Sequence, residues 1–269
     1  MHVEVSGRGA PLLLIHGWGM HGGMWGSAVE ELAGQFCVQV VDLPGHGKSR
    51  SRVGSSEQDN AAVLPYTPPY NPSLDSIVDE MSARFEEPLT VCGWSLGSQV
   101  ALRWAQREPK KIQRLVLVSG TPCFVQKPDW PCAMTSETLA EFATALSENH
   151  ALTLRRFLAL QVRGSESERE LLASLRAALF SRGEPDLSAL QTGLEILRDC
   201  DLRAVLRDIA QPTLIIAGER DTLTPVQASE HMANVMRNAR LATIKGAAHA
   251  PFLSHPEIFV EQLTRFLHE

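Results

Sequence analysis

The sequence predicts an α/β protein: a mostly parallel, doubly wound sheet with an all-helical insertion. Three observations carry this reading. Short apolar runs alternate with longer segments of helical period. The stretch 121–205 holds no convincing strand. Between them, Cys92-Gly93-Trp94-Ser95-Leu96-Gly97-Ser98 sets one serine between two glycines where a strand turns into a helix.

The strands are expected at Leu12 to Ile15, Val38 to Val41, Leu89 to Cys92, Leu115 to Val118, Leu214 to Ala217 and Leu241 to Ile244. Runs apolar on both faces belong in a parallel sheet covered on both sides. Helices are expected over 25–34, 73–86, 96–108, 226–236 and 256–268. The last opens at His255-Pro256, and proline suits a first helical turn. Residues 50–72 are rich in Ser, Pro and Asn and hold both tyrosines, Tyr66 and Tyr70. They read as a long irregular loop. Residues 121–205 divide into amphipathic helices over 135–148, 151–162, 166–181 and 186–198. The expected organisation is a core of 1–120 and 206–269, with 121–205 inserted as a lid. Such a lid would cover the carboxyl edge of the sheet, where open α/β sheets bind ligands.

The chain has 269 residues, enough for one such domain with an insertion. Its formal net charge of −6 argues against a general nucleic-acid binder. No run of 18 apolar residues is present, so no membrane span is expected. The N-terminus lacks a basic segment followed by a long apolar one and reads as mature protein. Five cysteines, an odd number with no CxxC, argue against a disulfide framework or a zinc site and for a reducing cytoplasm. No GxGxxG opens the chain, no histidine pair has metalloprotease spacing, and residues 42–49 lack the spacing of a nucleotide loop. No cofactor and no metal is expected, and the chain is expected to act as a monomer.

The chemistry starts from Gly93-Trp94-Ser95-Leu96-Gly97. A sharp strand-to-helix turn lifts the Ser95 hydroxyl clear of the sheet and sets it at a helix N-terminus. A serine needs a base, and in this chain order an acid and then a histidine should follow. His249 lies just beyond the strand Leu241 to Ile244, after the small residues Gly246-Ala247-Ala248. Asp221 lies beyond the strand Leu214 to Ala217 and precedes Thr-Leu-Thr-Pro, a turn suited to holding a carboxylate. Glu219, Asp199 and Asp201 are the rival acids. His249 would take the Ser95 proton while Asp221 fixes its tautomer. The oxyanion would be met by the N–H of Leu96 and by that of Trp18, in the loop His16-Gly17-Trp18-Gly19. His16 reads as a loop-stabilising residue, His46 sits in a glycine-rich turn after a strand, and His255 reads as part of a helix start.

HGWG at 16–19, DLPGHGKS at 42–49, GWSLG at 93–97, GERD at 218–221 and AAHAPF at 247–252 resemble the α/β-hydrolase superfamily from end to end. SGTPCF at 119–124, DWP at 129–131, RFLALQ at 156–161, GLEILRDCDLR at 193–203 and KGAAHAPFLSHP at 245–256 resemble the methyl ester esterases of biotin synthesis. The resemblance implies hydrolysis of the methyl ester of pimeloyl-acyl-carrier protein through an acyl-enzyme on Ser95. It also implies substrate contacts at Trp18, Ser95, Leu96, Phe157, Leu158, Ala159, Leu160, Gln161 and His249, with Phe157 and Leu160 along the methylenes.

Residues 150–182 carry Arg155, Arg156, Arg163, Arg169, Arg176 and Arg182 against Glu166, Glu168 and Glu170. A basic lid on an acidic chain would steer an acidic acyl-carrier protein, with Arg156 and Arg169 as the docking contacts. The competing account is a solvated helix face with local pairs such as Glu166 and Arg169. The sequence departs from the resemblance in the long loop 50–72 and in Ser98, where a further glycine is common. A broad carboxylesterase acting on short free esters would use the same Ser95, Asp221 and His249.

Overall fold

The structure, a computed structural model, describes residues 1–50 and 73–269. The loop expected over 50–72 lies, Arg50 apart, outside the described residues. In chain order the elements are β1 (His2–Ser6), β2 (Pro11–Ile15), α1 (Ser27–Ala33), β3 (Cys37–Asp42), α2 (Leu74–Arg84), β4 (Leu89–Trp94), α3 (Leu96–Arg107) and β5 (Ile112–Val118). Four helices follow: α4 (Ser136–Glu148), α5 (His150–Val162), α6 (Glu168–Leu179) and α7 (Leu187–Asp199). The chain then returns through β6 (Thr213–Gly218), α8 (Val226–Val235), β7 (Ala239–Ile244), α9 (Pro251–Ser254) and α10 (Pro256–Leu267).

The seven strands form one sheet in the order β1-β3-β2-β4-β5-β6-β7. Every pair is parallel except β1 with β3. Each expected strand is present. β1 was not expected, because His2-Val3-Glu4-Val5-Ser6 alternates polar and apolar residues instead of running apolar on both faces. That alternation suits an edge strand, and Val5 is largely exposed. At the centre of the sheet all six residues of β4 are buried, as a strand covered on both faces requires. Each fully buried Leu, Ile or Val contributes about 1.5–3 kcal/mol of transfer free energy.

Helices α4–α7 lie between β5 and β6 in sequence, close to their expected spans. Thr135 caps α4 by accepting from Thr138 N, and Asn149 caps α5 by accepting from Leu152 N. Each cap satisfies one of the N–H groups a helix start leaves free. Asn149 also ends α4, so one residue turns the chain between two helices. The apolar faces of α4–α7, including Leu146, Leu154, Leu158, Leu175 and Leu190, belong to the same continuous core as the sheet.

Candidate active site

Ser95, Asp221 and His249 each follow the carboxyl end of a parallel strand: β4, β6 and β7. That edge is where the loops of an open α/β sheet build a site. Ser95 has φ +55° and ψ −115°, a left-handed conformation costing a non-glycine residue about 1–3 kcal/mol. Its surroundings leave no room for larger neighbours. A Cβ on Gly93 would overlap the Gly97 carbonyl, and one on Gly97 would overlap the Ile15 carbonyl. Ser95 N donates to Val118 O at 2.9 Å, tying the turn to the end of β5. Ser98, in place of a further glycine, donates its hydroxyl to Gly93 O at 2.6 Å and so braces the same turn.

His249 is buried and donates from Nδ1 to Asp221 Oδ2 at 2.8 Å. That bond leaves Nε2 as the unprotonated nitrogen. Nε2 is buried and has no hydrogen-bond partner among the described residues. Two further bonds fix the loop. Trp94, next to Ser95, donates its indole N–H to His249 O at 2.8 Å, and His249 N donates to Gln161 O at 3.0 Å. Asp221 is the carboxylate that meets His249. Of its rivals, Glu219 accepts from Gly246 N, while Asp199 and Asp201 pair with Arg198 and Arg203. The Thr-Leu-Thr-Pro turn holds Asp221 as its composition suggested: Leu223 N and Thr224 N donate to Oδ1 at 2.9 and 3.0 Å.

Trp18 follows β2 and Leu96 opens α3. Gly17 brings the Trp18 loop up to the serine, for a Cβ there would sit 3.2 Å from Ser95 Cβ. The first N–H groups of a helix lack intrahelical acceptors, so the Leu96 N–H is free to meet an anion. The Trp18 indole is fully buried where the core continues into α4–α7. Its Nε1 donates to Leu190 O of α7 at 2.8 Å, and its ring packs edge-on against Phe157 at 4.9 Å and Phe142 at 5.4 Å. Gly193 of α7 makes that possible, since a Cβ there would overlap Trp18 Cδ1. Sequence reading missed Leu190 and Gly193. They lie on a helix that only tertiary packing brings to the Trp18 loop.

Among α4, α5 and α7 a cavity of about 270 Å³ opens beside Trp18. Its walls are apolar: Phe124, Met134, Phe142, Phe157, Leu160 and Leu194 are among them, and Thr138 and Glu141, both exposed, stand at its rim. Phe157 and Leu160 thus line it as expected. Leu158 is fully buried and Ala159 half-buried, and neither belongs to the walls. Gln161, one helical turn beyond Phe157, is buried with neither amide atom paired among the described residues.

His16 supports the Trp18 loop. Leu43 N donates to its Nε2 at 2.9 Å and its Nδ1 donates to Gly17 O at 2.8 Å. Complete burial, with His46 beside it, pushes its pKa down to about 3, so the ring is neutral. Beneath it, buried Asp42 accepts from Gly22 N, Lys48 N and Arg182. Burial opposes its ionisation, but those backbone donors and the charge of Arg182 outweigh it and hold the carboxyl below the usual range. Arg182 therefore departs from the expected basic face: it is committed to Asp42 and Glu4. Arg156 and Arg169 are both exposed, on α5 and α6. Among the described residues no helix is long and apolar enough to cross a membrane, and no cluster of three or more His, Cys, Asp or Glu could hold a metal.

A family profile described as alpha/beta hydrolase fold matches residues 10–256. The chain belongs to the alpha/beta hydrolase family. Within that family, it is 43% identical over 97% of its length to a pimeloyl-[acyl-carrier protein] methyl ester esterase of Nitrosomonas europaea, 96% of which is covered. It is 41% identical over 99% of its length to a protein of the same name from Xanthomonas oryzae, 98% of which is covered. Among solved structures, an esterase from Exiguobacterium antarcticum superposes with a TM-score of 0.86 at 22% identity, covering 100% of this chain and 95% of that one. The enol-lactonase of Burkholderia xenovorans gives 0.80 at 19% identity, covering 100% and 96%. These two likenesses establish the hydrolase fold of the chain.

Proposed function

We propose that this hydrolase is a carboxylesterase that cleaves the methyl ester of pimeloyl-acyl-carrier protein, giving methanol and the carrier-bound acid for biotin synthesis. The observation that carries the substrate is the near full-length identity of about 40% to proteins of that name, which runs through α4–α7 as well as the sheet. The apolar cavity suits a methylene chain, and the His249–Asp221 pair suits ester hydrolysis.

On this reading the Ser95 Oγ attacks the ester carbonyl carbon while His249 Nε2 takes its proton. The carbonyl oxygen becomes an oxyanion held by the N–H groups of Trp18 and Leu96. The C–O bond to the methoxy group breaks, and His249 returns the proton so that methanol leaves. Water then attacks the acyl-enzyme carbonyl while His249 takes its proton; the bond from the acyl carbon to Ser95 Oγ breaks, His249 returns the proton to Oγ, and the acid leaves and ionises. Asp221 holds the Nδ1–H tautomer and stabilises the imidazolium. The methylenes lie between Phe157, Leu160 and Trp18, and helices α4–α7 act as the lid. Arg156 and Arg169 receive the acidic carrier. The enzyme works in the cytoplasm, as a single chain.

The test compares kcat/KM on the carrier-bound methyl ester with that on a short p-nitrophenyl ester, across salt concentrations. A preference for the carrier substrate that weakens as salt rises is expected. Ser95→Ala should lower kcat by about a thousandfold or more on both. Equal turnover of the short ester with no salt effect would leave a general carboxylesterase.

A further inference from the structure

Thr224 lies on the loop after β6, is buried, and has a hydroxyl that none of the steps above uses. Its Oγ1 is 2.7 Å from Asp221 Oδ2, 3.0 Å from Ser119 O and 3.3 Å from His249 Nδ1. Those three atoms come from the ends of β5, β6 and β7. The backbone amides of the turn already hold Asp221 by Oδ1. The hydroxyl meets the other oxygen, the one His249 uses.

The proton count decides what the hydroxyl does. His249 Nδ1–H is given to Asp221 Oδ2. Thr224 has one hydrogen and two lone pairs. The shortest of its contacts is to Asp221 Oδ2, a charged acceptor, which takes the hydrogen in preference to a neutral carbonyl. Oδ2 then receives two donors and Oδ1 receives two, so neither oxygen can turn away without leaving a buried donor unpaired. Ser119 O, 3.0 Å from the hydroxyl, belongs to a residue whose φ is +44° and whose N–H donates to Ile216 O at 2.8 Å.

We propose that Thr224 is a positioning residue of the reaction. Its hydroxyl locks the carboxylate oxygen that orients His249, and so acts on the chemical step and not on substrate binding. The inference rests on the assignment of Ser95, Asp221 and His249 above. A hydroxyl with only a folding role would change stability and leave kcat per folded molecule intact.

The test is Thr224→Val, which keeps the shape and removes the hydroxyl, beside Thr224→Ser, which keeps the hydroxyl. Loss of one hydrogen bond to a buried charged group predicts a fall in kcat of about tenfold or more for the valine variant, with KM within about twofold. The serine variant should recover kcat to within about threefold of the parent. Should Thr224→Val fail to fold, Thr224→Ala replaces it, because alanine and serine lose the same methyl and differ only in the hydroxyl. Equal kcat with and without the hydroxyl overturns the proposal, as does a change confined to KM. Ser95→Ala is assayed in parallel: activity surviving there would overturn the triad itself, whereas an inactive Ser95→Ala beside a fully active Thr224→Val would remove Thr224 alone.

Discussion

At the carboxyl edge of the sheet, Asp221 accepts four hydrogen bonds, three from its own loop and one from His249. Across the site, in α5, Gln161 is just as buried and has neither amide atom paired among the described residues. Around Asp221 the polar network is complete, and only His249 Nε2 and Ser119 Oγ beside it lack partners among the described residues of that edge. The helices present an apolar cavity wall, with the unpaired Gln161 carboxamide buried outside it. A group that must hold one tautomer through a reaction needs every neighbour fixed beforehand. On the proposed function, reactivity belongs to the loops after β4, β6 and β7, and selection to α4, α5 and α7, which line the cavity.

The two regions still share a few polar contacts. Gln161 O accepts from His249 N, Leu190 O accepts from the Trp18 indole, and Arg220 of the Asp221 loop donates to Gly164 O at 2.9 Å. Helix α5 therefore touches the base by its backbone and the cavity by its side chains. The division can be broken at either contact.

The largest effect is expected at Phe157. Its ring packs against Trp18 and Phe142 and forms part of the cavity wall. Phe157→Ala should cost about 3 kcal/mol of stability, as large-to-small core changes do. If the helices only select, KM should rise by about tenfold or more while kcat holds, because uniform binding is lost and the transition state is not singled out. Steady-state kinetics with urea unfolding reads both. A kcat that falls as far as KM rises would mean that α5 carries His249 with it, and the division would fail.

A smaller effect is expected at Gly193, where a helix residue reaches the Trp18 loop. Gly193→Ala drives a methyl into the Trp18 indole, and overpacking of this kind costs about 1–3 kcal/mol. The strain has an outlet in the Trp18 backbone, whose N–H is the proposed oxyanion donor. The prediction is a fall in kcat of about tenfold with KM little changed, the opposite split to Phe157→Ala. An unchanged kcat would show that the indole yields without moving its own backbone.

These two regions also differ in how far the sequence disclosed them. Ser95, Asp221 and His249 were legible because each sits just past an apolar run, where a strand must end and a loop begin. The turn holding Asp221 was legible because Thr-Leu-Thr-Pro is local chemistry. What escaped was contact across the chain. Trp18 and Leu190 are 172 residues apart, and Arg182 and Asp42 are 140 apart. No periodicity encodes such a meeting, so Arg182 passed for one of several surface arginines and Gly193 for an ordinary helix residue. Strand β1 escaped for the opposite reason: its pattern is local but half polar, unlike the apolar runs of the strands buried on both faces.

The smallest effect concerns acid stability, and it should arise in the core. His16 is buried neutral, its folded pKa pushed down to about 3 from an ordinary 6.5. Below 6.5 the unfolded chain binds a proton that the folded chain refuses. Stability is therefore full above 6.5 and falls as pH drops from there towards about 3. The slope is about 1.4 kcal/mol per pH unit for one such group. His21 and His46 are depressed by burial too and add to it in the same direction. Asp42 acts lower down. Its folded pKa lies below the ordinary 3.8, so its contribution is present above that value and is lost only as pH falls through the folded one. Urea unfolding at pH 7, 6 and 5 should show a slope that steepens below pH 6.5 in the parent, and a shallower one in His16→Asn, whose side chain does not titrate there, the difference approaching about 1.4 kcal/mol per unit only below pH 6. A slope unchanged in His16→Asn would move the acid sensitivity away from the loop that carries Trp18. Acid would then weaken the protein without first loosening the loop that carries Trp18.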